Sequence, residues 1–144
     1  MLPAAGTATL AVSHAGPPIP PSMSLQTLRP MLWTADVRGT VDFYVQQLGF
    51  TCGEFREEWG WAALQRDDVE IMASRPNDHV PFDGPRFTGS FYIVTDRVDA
   101  LWEEFRGKAK VCYPLEDFFY GMREFAIYDN NGYLLQFGQP LDGD

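Results

Sequence analysis

The order strand, helix, strand, strand, strand occurs twice along this chain, offset by roughly 60 residues, and that internal repeat restricts the possible folds more than any other feature. In the first copy, "LRPMLWTA" (Leu28–Ala35) is short and mostly apolar, which predicts a strand. Asp36 can cap the helix that follows, Val37, Val41, Tyr44, Val45 and Leu48 recur at helical spacing, and Gly49 closes it. "FTCGEFREE", "WGWAALQR" and "VEIMAS" then form a meander with tight turns, one of them made by two Asp residues. "RPNDHVPFDGPRFTG" is a loop by its Pro, Gly, Asp and Asn content. The second copy runs through "SFYIVT", a helix over "DRVDALWEEFRGK" opened by Asp96 and stopped near Gly107, "AKVCYP", and a closing hairpin of "MREFAIYD" and "YLLQFGQ" around "NNG".

A four-stranded curved sheet backed by one helix buries only one face. Its concave face stays open unless a second copy covers it, and two copies together enclose a cup suited to a ligand. The expected fold is therefore α+β, with two βαβββ modules forming a curved-sheet cup. The modules span about 28–75 and 88–139 within a domain over 28–140. A Pro-rich extension (residues 1–27) precedes it and a short tail (141–144) follows. "GPPIPPS" favours an extended, proline-stiffened arm.

Composition excludes several classes. A net charge of −9 argues against nucleic acid, whose phosphates need a basic face. No stretch approaches the length of a membrane span, and the N-terminus lacks the positive segment of a secretory signal. Cys52 and Cys112 make no disulfide framework, which points to reduced thiols in the cytoplasm. Aromatic residues make up 15% of the chain, enough to line a pocket for a flat ligand as well as to fill a core. No nucleophile elbow, phosphate loop or Cys-x-x-Cys motif occurs.

Four stretches carry a family resemblance: "TADVRGTVDFYVQQLGF", "QRDDVEIM", "TDRVDALWEEF" and "YGMREFAIYDNNGYLLQF". With them the chain resembles the vicinal oxygen chelate superfamily, which holds glyoxalase I, extradiol dioxygenases and the fosfomycin and bleomycin resistance proteins. "RDDVEI" and "GMREFAIYDNNG" are most similar to the bleomycin-resistance branch. The resemblance implies a homodimer whose cups form across two chains, with the N-terminal arm able to join an exchange of strands. In the superfamily's enzymes the first and last strands of each module supply the ligands of a divalent metal. The matching positions here are Arg29, Glu70, Gly89 and Gln136. One carboxylate and one amide remain, beside a cation that has no lone pair for a metal. If any metal binds, Glu70 and Gln136 are its ligands. His14 lies in the arm and His79 in the loop, so neither sits on a strand of the pattern.

Through the resemblance, Met31 and Trp33 face the cavity from the first strand, with Phe91 at the matching place in the second module. Trp61 alternates with Trp59 on the third strand and shares its direction, toward either the helix or the cup. Phe55 and Tyr120 stand where bleomycin-resistance-type proteins stack aromatics from different subunits on a flat ligand. Tyr120 directly precedes "GMREF". Glu70 has a plainer reading as an ion-pair partner of Arg29 or Arg123, and Arg123 itself is expected to pair with an acidic neighbour rather than to do chemistry.

Three functions remain in view. The first is a metal-free binding protein, with no cofactor and no catalytic residue, that sequesters a flat aromatic or cationic compound and so confers antibiotic resistance. The second is a metal-dependent lyase or isomerase, thiol transferase or dioxygenase of the glyoxalase type. The third is an interaction subunit whose cup is filled by its own aromatics.

Overall fold

The computed structural model describes residues 16–17 and 25–141, so most of the Pro-rich arm and the last three residues of the tail lie outside the described residues. The strands are β1 (Met31–Trp33), β2 (Thr51–Arg56), β3 (Trp61–Arg66), β4 (Val69–Ser74), β5 (Phe91–Val94), β6 (Lys110–Asp117), β7 (Met122–Tyr128) and β8 (Leu134–Pro140). The helices are α1 (Val37–Gln46) and α2 (Val98–Phe105). The repeat is topological as well as sequential. One sheet has the order β1-β4-β3-β2 and the other β5-β8-β7-β6, each with one parallel edge pair and two antiparallel pairs.

Local chemistry sets the boundaries. The Asp36 side chain accepts from the Gly39 N–H at 2.9 Å and caps α1, as its sequence suggests. Val37 and Tyr44 are buried along one stripe, whereas Val45 falls outside it and is exposed. Gly49, at φ +72°, turns the chain out of the helix where a side chain would strain the backbone. Asp67 takes φ +51° in the two-residue turn between β3 and β4, the geometry such hairpins require.

Three elements differ from the sequence expectation. Trp59 belongs to a 3-10 turn (Glu57–Trp59) and is largely exposed, with Arg56 over its ring, so it does not alternate with Trp61 on a strand. Asp96 makes no cap on α2; instead the Val98 N–H donates to Gln139 Oε1 of β8 at 3.0 Å. The closing hairpin turns through five residues, Asp129 to Tyr133, wider than the "NNG" read from the sequence. Asp129 Oδ1 accepts from the backbone N–H groups of Asn131, Gly132 and Tyr133, each at 2.9 Å, and this capture sets the wider loop.

The helix-side faces of both sheets meet in one core. Leu32, Leu64 and Ile71 come from the first sheet, Phe125, Leu135 and Phe137 from the second, and Tyr44, Leu48, Leu101 and Phe105 from the helices. Each such side chain contributes about 1.5–3 kcal/mol by leaving water. Polar contacts lock the modules further. The Tyr44 hydroxyl donates to Asp129 Oδ2 at 2.8 Å, and the Tyr133 hydroxyl donates to the Trp33 carbonyl at 2.9 Å. Arg66 holds Glu104 at 3.0 and 3.1 Å. Because the shared core lies on the helix side, the other face of each sheet points away from it.

Candidate ligand-binding site

Strand alternation decides which residues line the open face of the second sheet. Gln136 lies in register with Ala126 on one side and Tyr92 on the other, and Glu124 is in register with Gly138. Tyr113 faces Ala126 from β6. These residues share one face, opposite the buried Phe125, Leu135 and Phe137.

They form a continuous hydrogen-bonded chain. The Ser90 hydroxyl donates to Gln136 Oε1, and Gln136 Nε2 donates to the Tyr113 hydroxyl at 2.7 Å. The hydroxyls of Tyr113, at 3.0 Å, and Tyr120 donate to Glu124 Oε1, and that of Tyr92 donates to Oε2 at 2.6 Å. Glu124 is only 1% exposed, yet three phenols satisfy it. Gly138 makes the Tyr92 contact possible, because a methyl there would overlap the Tyr92 hydroxyl. Burial and then the bond to Glu124 push the Tyr92 phenol well up, while the bond to Glu124 is the main cause that pushes Tyr120 up to about 12. Phe118 stacks on Tyr120 at 5.4 Å and meets the edge of Tyr113 at 5.7 Å. Of the residues singled out from sequence, Gln136 and Tyr120 lie in this network; Ser90, Tyr92, Tyr113 and Glu124 were not among them.

The open face of the first sheet holds Arg29, Met31, Trp33, Trp61, Glu70 and Met72 by the same alternation. Arg29 Nε meets Glu70 Oε2 at 3.2 Å, the ion pair expected from sequence. Arg123 pairs with Asp99 at 2.9 Å and Asp117 at 2.7 Å, also as expected. Met31, Trp33 and Phe91 border a cavity of about 390 Å³ together with Phe82 and Phe87 of the connecting loop and Tyr133. Phe91 stacks on Phe87 at 4.9 Å and lies in register with buried Leu135, so it faces away from Gln136. Phe55 lies in register with buried Ala62, packs beside Val37 on the helix side, and carries Arg38 over its ring at 5.0 Å. It stands apart from Tyr120 within the chain. A larger cleft of about 810 Å³ lies between the β3–β4 turn and the end of β5, and none of the residues singled out from sequence lines it.

The superfamily's metal does not fit this donor set. Arg29 offers no lone pair and occupies Glu70, Gly89 has no side chain, and Gln136 Oε1 is taken by Ser90. Among the described residues no three His, Cys, Asp or Glu side chains converge. Cys52 and Cys112 are both free. Among the described residues no helix is long and apolar enough to cross a membrane.

Two mixed four-stranded sheets, each with its helix and an open face, define the class. The chain belongs to the Glyoxalase/Bleomycin resistance protein/Dioxygenase superfamily, whose model matches residues 26–137. It is similar to a bleomycin resistance protein of Geobacillus stearothermophilus, 27% identical over 128 residues, covering 78% of this chain and 95% of that one. Among solved structures it is similar to the bleomycin-binding protein of bleomycin-producing Streptomyces verticillus, complexed with copper(II)-bleomycin. That protein is 27% identical, with a TM-score of 0.61, over 79% of this chain and 95% of that chain. TioX from Micromonospora sp. ML1 shares the fold at 22% identity, with a TM-score of 0.66 over 81% of this chain and 99% of that one.

Proposed function

We propose that this protein is a metal-free binder that sequesters a flat aromatic or cationic small molecule, acting in the cytoplasm as a homodimer and conferring resistance to the compound it holds. The observation that carries this reading is the pair of open sheet faces lined by aromatic residues: Trp33 and Trp61, both in register with Ser74, on one wall, and Tyr92, Tyr113 and Tyr120 around Glu124 on the other. Flat rings stack on such walls, and the buried Glu124 carboxylate favours positive charge. The similarity to bleomycin resistance proteins supports the same role. The ligand-contacting set comprises Met31, Trp33, Trp61 and Glu70 from one wall, and Tyr120 and Gln136 from the other. Phe91 reaches the ligand only through the cavity it shares with Met31 and Trp33, and Phe55 only if a partner chain brings it to a cup.

Isothermal titration against a panel of cationic aromatic compounds that includes bleomycin tests the reading. Saturable binding is expected with protein stripped of divalent ions. Silence across the whole panel rejects it, and so does tight stoichiometric nickel, manganese or zinc held by Glu70 and Gln136.

A further inference from the structure

The hydroxyl protons that surround Gln136 and Glu124 on the open face of the second sheet are spent internally. Ser90 gives its proton to Gln136, Gln136 donates to Tyr113, and Tyr113, Tyr92 and Tyr120 all donate to Glu124. A phenol has one proton but two lone pairs. Tyr92 and Tyr120, both about half exposed, therefore present only acceptor oxygens and ring faces to an arriving molecule. Donating to a carboxylate also strengthens each phenol oxygen as an acceptor.

Among the described residues the Glu124 carboxylate has no cationic partner; Arg123, its neighbour in sequence, points the other way to Asp99 and Asp117. Exposed Glu116 stands directly in register with Glu124 from β6, and two like charges so placed repel. Burying a carboxylate without a counter-ion is costly, so a face built this way is complementary to a positive ligand and repels an anion.

We propose that Glu124, Tyr92 and Tyr120 form an ammonium-binding site, one that takes a protonated primary or secondary amine whose N–H groups donate to the two phenol oxygens while its charge is balanced by Glu124. The proposal rests on the binding role argued above and names the chemical group that this wall recognises. Gly138 belongs to the site, because only a residue without a side chain lets the Tyr92 hydroxyl reach across β8 to the carboxylate.

The test uses three probes of one shape: 4-phenylbutylamine, 4-phenylbutan-1-ol and 4-phenylbutanoate, titrated by calorimetry into the full chain. The amine is expected to bind at least about tenfold more tightly than the alcohol, in line with a hydrogen bond to a charged group, and the acid is expected not to bind. Glu124→Gln keeps the shape of the side chain and should remove the preference for the amine over the alcohol. Tyr92→Phe and Tyr120→Phe keep the rings and remove the acceptors, and Gly138→Ala displaces Tyr92; each should cost the amine several-fold, so the answer does not hang on one variant's folding. If amine, alcohol and acid bind equally, or if none of the four substitutions changes amine affinity, the inference is wrong although the binding role stands. If no aromatic compound binds at all, both fall.

Discussion

Glu124 sits beneath three tyrosines, and that arrangement has a measurable signature in their ionisation. In the folded chain the Tyr120 phenol is pushed up to about 12, mainly by its bond to Glu124, from an ordinary value of 10.0. A raised phenol favours the neutral form in the fold. The stabilisation is therefore fully present below pH 10.0 and is lost as pH rises through about 12. Glu124→Gln should move part of the ultraviolet phenolate titration down toward the ordinary value. An unchanged titration curve would show that the tyrosines do not lean on this carboxylate. The residue was not singled out in sequence because alternation gives a residue its face but not the tyrosines of other segments that gather on it. The loop held by Asp129 fixes the register that places Glu124 opposite Gly138, on the same face as Gln136.

Elements show the same limit of local rules. The cap of α1 was legible because Asp36 is adjacent to the helix it caps. The cap of α2 was not, because its acceptor, Gln139, is distant in sequence and belongs to another element. Gln139→Ala should cost about 0.5–2 kcal/mol in urea unfolding, the range for losing a helix cap, whereas Asp96→Ala should change stability by less than about 0.5 kcal/mol. Equal effects of the two substitutions would return the cap to Asp96. Phe55 was placed by the resemblance alone; in the fold the pairing of β2 with β3 shifts between Cys52 and Glu54, and this bulge sets Phe55 on the helix side with Ala62.

At the scale of the whole molecule, the repeat was readable because each βαβββ module carries its own periodicity, and the observed sheets have the same strand order. How the two modules face one another was not, since hydrophobic pattern says which face is buried but not against which neighbour. They share the helix-side core, so a single chain leaves both concave walls uncovered. Exposed Met31 on one wall and exposed Tyr92, Val94 and Tyr120 on the other are what a second copy would cover. Sedimentation at micromolar concentration should give a mass near twice the 16.3 kDa of one chain. A mass of one chain under those conditions would count against the dimer.

The back-to-back placement of the modules has a consequence for inheritance. If each cup takes its two walls from different chains, damage in either module strikes both cups of a homodimer. Coexpress a chain altered at Trp33 with one altered at Glu124, and the mixed pair regains one cup whose walls are both intact, while the other gathers both lesions. Two alleles that each fail alone would then succeed together, at half the capacity of the unaltered dimer. A cup built within one chain would show no such rescue.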